Sequence, residues 1–177
     1  MSNKVIYFNR FPVTNQVFYR SKYTYALVNL KPIVAGHVLI VPYRVVPRLK
    51  DLTKEENQDY FETLQKIHRF IEYLYKADSL NISIQDGAAA GQSVPHLHTH
   101  ILPRYFTDGY GDAIYDKLQQ NGENLNQMYQ EQQQQQQQVP TKKLTVPEER
   151  IPRTMEEMQV EAKWLANELE KFHLENW

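Results

Sequence analysis

The spacing of hydrophobic and polar positions changes period twice in the first hundred residues. "KVIYF", "VFYR" and "YTYALVNL" are rich in β-branched and aromatic residues and read as strands, separated by a turn at "RFPVTN" and a polar "SK". Pro32 and Gly36 punctuate the approach to a short apolar strand, "HVLIV", which Pro42 closes. From "DLTKEENQDYF" onward the period lengthens: Tyr60, Phe61, Leu64, Ile67, Ile71, Leu74 and Tyr75 recur at three and four, the mark of one buried helical face. Thr53 and Glu56 stand at capping-box spacing before it. "LNISIQDG" then returns to alternation, and the loop "AAAGQSVP" follows. This order predicts an α+β fold, an antiparallel sheet with one long helix.

Alternation gives meaning to "HLHTHIL", where His96, His98 and His100 stand two residues apart. On a strand such residues line one surface, and Leu97, Thr99 and Ile101 face the other. A helix, turning by about 100° per residue, would not line all three histidines on one face, and Pro95 and Pro103 also argue against one. The reading is one wall of imidazoles backed by an apolar core.

Beyond residue 106 the globular texture fades, and seven consecutive glutamines fill positions 132–138. So little apolar surface cannot offset the entropy of ordering, which predicts a largely disordered, Gln-rich loop over 121–150. Thr154 and Glu157 repeat the capping-box spacing, with Met158, Ala162, Leu165, Leu169 and Phe172 at helical intervals after them. The domain reading is therefore a core over 1–120, the loop over 121–150, and a C-terminal helix within 151–177 that packs on the core.

A chain of 177 residues is most simply one domain, and its net charge of -1 supplies no overall field to recruit nucleic acid or a membrane surface. The absence of cysteine excludes disulfides and thiolate metal sites. The N-terminal apolar run is short for a signal peptide, and no stretch reaches the roughly 20 apolar residues that cross a bilayer. The expectation is a cytoplasmic protein, extending to the nucleus.

Three chemistries suit three aligned histidines. Zinc accepts imidazole, but His96 and His100 on an extended strand lie about 13 Å apart, too far for one ion, and no cysteine or acidic run completes a site. Histidines hydrogen-bonded on a solvated sheet face are the plain structural alternative. The third is nucleophilic catalysis at phosphorus, with one imidazole attacking, its neighbours donating hydrogen bonds, and loop amides holding phosphate oxygens.

"HLHTHIL" resembles the motif of the histidine triad superfamily, with Thr99 departing from its apolar pattern. "YALVNLKPIVAGHVLIVP", "SIQDGAAAGQSVPHLHTHILPR", "DAIYDKLQ" and "RTMEEMQVEAKWLA" extend the similarity to the fragile histidine triad branch, the dinucleoside polyphosphate hydrolases. The resemblance covers about residues 5–120 and 152–172. It implies the histidine-triad fold, a symmetric homodimer, and hydrolysis of substrates such as diadenosine triphosphate or tetraphosphate at the α-phosphate. A divalent cation, magnesium or manganese, would act with the substrate phosphates, and no protein-bound metal is implied.

By the same resemblance His98 is the nucleophile, His96 orients it through its backbone carbonyl, and His100 contacts the α-phosphate. Gln85 would reach the bridging oxygen, and Gly91, Gln92 and Ser93 would form the phosphate loop. Asn29 would bind a ribose hydroxyl, Tyr7, Leu27 and Leu39 would line the base slot, and His37 would lie near the nucleoside. His68 and His173 have no companions that suggest chemistry. A nucleotide-binding signalling module, or a hydrolase of other adenylylated substrates such as phosphoramidates or adenylyl sulfate, stands beside this reading.

Overall fold

Why the chain forms a sheet is visible in its registered apolar rows. The structure, a computed structural model, describes residues 4–135 and 152–176. Strands β1 (Tyr7–Phe8) and β2 (Phe11–Pro12) form a small hairpin. They are followed by β3 (Val17–Arg20), β4 (Thr24–Val28), β5 (Val38–Pro42), helix α1 (Lys54–Tyr75), β6 (Ser79–Ile84) and β7 (Thr99–Arg104). Helices α2 (Ala113–Gln135) and α3 (Met155–Asn176) complete the order. The main sheet has five antiparallel strands in the order β3-β4-β5-β7-β6. Strands β4 and β5 are buried at every position, as central strands should be.

Both capping boxes form. Thr53 Oγ1 accepts from Glu56 N–H at 3.2 Å and Glu56 Oε2 from Thr53 N–H at 2.9 Å, and Thr154 and Glu157 do the same before α3. Helix α1 packs on β4, β5 and β7. Its buried face holds Tyr60, Leu64, Ile67, Phe70 and Ile71, whereas Phe61, expected inside, is 41% exposed. The row at three-four spacing thus continues through Phe70. In α3 all five expected apolar residues, Met158 through Phe172, are buried.

Thr99 explains itself in the core. Its hydroxyl lies 2.6 Å from the Tyr60 hydroxyl, which also donates to the Ile40 carbonyl at 3.0 Å. One buried polar knot ties α1 to β5 and β7.

Three expectations need correction. "RFPVTN" is not simply a turn, because Asn9 adopts φ +54° and folds Phe11–Pro12 back on Tyr7–Phe8. Residues 121–135, expected in the disordered loop, are helical, so a boundary at 120 falls inside α2. Leu125, Met128 and Tyr129 are buried in the main core, and that burial stabilises a helix whose composition is poor in apolar residues. The rest of the 121–150 segment, with the last three of the seven consecutive glutamines, lies outside the described residues. Finally, β7 begins at Thr99, so only His100 of the three histidines belongs to a ladder.

Candidate active site

The site starts from a row across the sheet. Leu27 pairs with Leu39, and Leu39 with His100, so the three share one sheet face. Beyond the end of β4, Asn29 Nδ2 lies 3.2 Å from His37 Nε2. Leu27, Leu39, Asn29, His37 and His100 are all buried, and the sheet brings them together as the resemblance implied. Tyr7 does not join them: it is 47% exposed. Its neighbour Phe8 is the inward residue, with its ring 5.5 Å from His96 and 5.3 Å from His98. The predicted phase was off by one because the hairpin turn at Asn9 sets which residue points in.

Backbone hydrogen bonds assign the imidazole protons. Asn9 N–H donates to His96 Nδ1 at 2.8 Å, which places the His96 proton on Nε2, where it donates to the Pro42 carbonyl at 2.8 Å. His96 is thereby fully occupied, and burial holds its pKa down to about 4. The expected wall of three imidazoles is in fact a pair, His98 and His100, with ring centroids 5.1 Å apart. Of their shared neighbours, His96 is spent on backbone partners.

His98 Nδ1 donates to the His96 carbonyl at 2.7 Å, so the Nε2 lone pair is the free end of the ring. Burial lowers its pKa and keeps it neutral. A second chain of bonds fixes His100. Ile33 N–H donates to His37 Nδ1 at 3.1 Å, His37 Nε2–H then donates to His100 Nδ1 at 2.9 Å, and the remaining His100 proton sits on Nε2. That atom is buried and has no partner. Burial first, and then the neighbouring His98 and His37, push the His100 pKa well down. A free imidazole lone pair and a free imidazole N–H therefore lie side by side.

The loop ahead of the histidines is shaped by close approach. Gly91 has φ +86°, and a Cβ there would sit 2.9 Å from Gln85 Nε2. Gln85 Oε1 and Ser93 Oγ are both buried without a partner. In Gln92 the backbone N–H donates to the Gly87 carbonyl at 3.1 Å and the side-chain amide to the Pro47 carbonyl at 2.7 Å. The backbone N–H is thus committed, whereas the second hydrogen of the side-chain amide is not used by the Pro47 bond.

Helix α2 adds residues that the sequence reading missed. Gly122 packs so closely that a Cβ would lie 3.2 Å from both Gln85 Oε1 and the Gly91 carbonyl. Asn121 Nδ2 donates to the Lys31 carbonyl at 2.7 Å, and Tyr129 stacks on Phe11 and contacts Phe8. The helix thus lies against Gln85, Gly91, Lys31 and Phe8 around the site, in which His98 is 3% and His100 1% exposed. A glycine within a helical stretch was the available signal for this approach. Among the described residues no group of three or more His, Cys, Asp or Glu is arranged to hold a metal ion, and no helix is long and apolar enough to cross a membrane.

Residues 10–107 match the HIT domain. The chain is similar to a bis(5'-adenosyl)-triphosphatase of Saccharomyces cerevisiae, 72% identical over 117 residues, which is 66% of this chain and 57% of that protein. It therefore spans a little over half the length of that relative. It is also similar to the asymmetrical bis(5'-nucleosyl)-tetraphosphatase of Schizosaccharomyces pombe, 48% identical over 169 residues, 92% of this chain and 93% of that one. The crystal structure of the Caenorhabditis elegans NitFhit protein superposes with a TM-score of 0.67 and 32% identity over 95% of this chain and 31% of its own. With more than half of its residues inside the matched segment, and its three spaced histidines within it, the chain belongs to the HIT-domain family.

Proposed function

We propose that the protein hydrolyses dinucleoside polyphosphates at the α-phosphate. The observation that carries this reading is the fixed tautomer of His98, which leaves a neutral Nε2 lone pair beside the unpaired His100 Nε2–H. In the first step the His98 Nε2 lone pair forms a bond to the α-phosphorus as the bond from that phosphorus to the bridging oxygen breaks. The departing nucleotide carries away that electron pair. His100 donates to a non-bridging oxygen where negative charge accumulates, and Gln85 and Ser93 offer further polar contacts. In the second step water replaces His98 on phosphorus, the N–P bond breaks, and a nucleoside monophosphate and a proton leave. Two displacements through a good nucleophile and leaving group replace one difficult attack by water. The names of the two yeast relatives support this substrate class.

A divalent cation, magnesium or manganese, enters this scheme with the substrate phosphates. The free edge of β6, the outer strand of the sheet, supports pairing of two copies into a homodimer. The cytoplasm and nucleus are the compartments in which we place this activity.

Product analysis with diadenosine triphosphate and tetraphosphate tests the reading. AMP together with ADP or ATP should appear, and the His98→Asn variant, folded as judged by circular dichroism, should release neither. Unchanged turnover by that variant would reject His98 as nucleophile.

The burial of His98 beneath α2 favours a second reading. A dinucleotide reaches Nε2 only when the helix shifts, so ligand exchange and turnover can both be slow, as in a nucleotide receptor that hydrolysis resets. Cleavage soon after binding would favour the enzyme, and a complex held long before its slow cleavage would favour the receptor.

A further inference from the structure

The ladder between β4 and β5 ends at Val28 and Val38, so the carbonyls of Asn29 and Leu30 have no strand partner. Both residues are fully buried, and an unpaired buried carbonyl is costly. One residue from the far end of the chain meets both needs. Arg153 donates to the Asn29 carbonyl from Nε at 3.1 Å and from Nη2 at 2.6 Å, and its backbone N–H donates to the Leu30 carbonyl at 2.9 Å. Its Nη1 is paired with Glu161 of α3, which balances the charge.

The clamp ends on a residue whose side chain is itself set in place. Asn29 Oδ1 accepts from Lys31 N–H at 2.9 Å, and Nδ2 faces His37, the residue that donates to His100. Rotation of the Asn29 peptide would swing that amide away from the sheet face it shares with the imidazoles. Arg153 lies outside the segment matched by the HIT domain and is brought in by α3, whose capping box begins at the next residue, Thr154.

We propose that Arg153 is a positioning residue for nucleotide binding, holding the Asn29–Leu30 backbone so that the Asn29 amide meets the ribose hydroxyls. The proposal rests on the reading of Asn29 as the ribose contact. A guanidinium suits this task better than an ammonium, because its planar fork can set two donors on one oxygen while a third reaches Glu161.

Equilibrium binding separates this role from simple stabilisation and needs no turnover. Calorimetric titration with AMP and with its 2',3'-dideoxy analogue should be run on the wild type, Asn29→Ala, Arg153→Gln and Arg153→Lys. The wild type should prefer AMP. Arg153→Gln should weaken AMP binding about tenfold, equivalent to roughly 1.4 kcal/mol, while changing affinity for the dideoxy analogue less than about twofold. Arg153→Lys, which keeps a charge and donors, should recover part of the loss and guards against a misfolded glutamine variant. If Arg153→Gln and Arg153→Lys weaken both ligands equally while Asn29→Ala still loses the preference for AMP, Arg153 is structural only and the proposal is overturned. If Asn29→Ala keeps that preference, the ribose reading of Asn29 is wrong and the proposal falls with it.

Discussion

His98 donates its Nδ1–H to the carbonyl of His96, two residues earlier, at 2.7 Å. The backbone of one histidine thus chooses the reactive atom of the next, while the His96 ring is committed to Asn9 and Pro42. For a nucleophile at phosphorus the neutral form is the useful one, and burial lowers the His98 pKa from its ordinary value near 6.5.

The rate should therefore resist acid. The acid limb of kcat/KM for diadenosine triphosphate should lie below pH 6.5 in the wild type, because burial lowers the His98 pKa from that value and keeps the ring neutral further into acid. A limb centred at or above pH 6.5 would show that His98 titrates as a solvated imidazole.

Stability should behave oppositely. His96, His98 and His100 all have lowered folded pKa values, so below about pH 6.5 the unfolded chain takes up protons that the folded chain refuses. Stability is full above the unfolded value and falls as pH drops toward the folded ones, by up to about 1.4 kcal/mol per pH unit for each histidine that stays neutral. Urea midpoints between pH 7.5 and 5 should decline, and His96→Asn should flatten the decline.

At the start of α1 the capping box is joined by Arg44, whose Nη2 pairs with Glu56 Oε2 at 2.6 Å. Thr53→Ala should cost about 1 kcal/mol in denaturant unfolding. The Arg44 hydrogen bond holds the Glu56 carboxyl down to about 2, so its contribution is present above the ordinary carboxylate value of 4.5 and is lost as pH falls toward 2. Glu56→Gln should remove that part of the acid sensitivity, which thermal melts from pH 5 to pH 2 would show.

Gly122 sets how tightly α2 lies on the loop at Gln85 and Gly91. Leucine there cannot fit without lifting the helix, and overpacking of this kind costs roughly 1–3 kcal/mol. Gly122→Leu should lower the melting temperature and speed carbethoxylation of His98 by diethylpyrocarbonate, followed by mass spectrometry, at least about fivefold. Equal labelling rates would show that α2 does not shield the imidazole.

The sequence announces α1 and α3 plainly because each joins a local capping signal to a periodic apolar face, and both signals depend on near neighbours. It hides α2, where Leu125, Met128 and Tyr129 gain their stability from distant aromatic partners such as Phe8 and Phe11. The same limit applies across the site. The histidine spacing and the buried Asn29, His37, Leu27 and Leu39 were legible from strand patterns and family resemblance. The bond of the Gln92 amide to Pro47, the inward turn of Phe8 and the reach of Arg153 across 124 positions depend on contacts that no local pattern carries.

The Tyr60–Thr99 contact has a bearing on the histidines that neither residue touches with its hydroxyl. A strand that slides by two residues keeps the same side chains on the same face, and Leu97 or Ile101 could fill an apolar slot in place of Thr99. Only Thr99 answers the Tyr60 hydroxyl, so either slip would give up that 2.6 Å bond and set an alkyl side chain against a buried hydroxyl. The slip would also carry every histidine one alternation away from the sheet position that His100 shares with Leu39. The address of the histidine face is thus written on its reverse, in a threonine that breaks the apolar pattern of the strand.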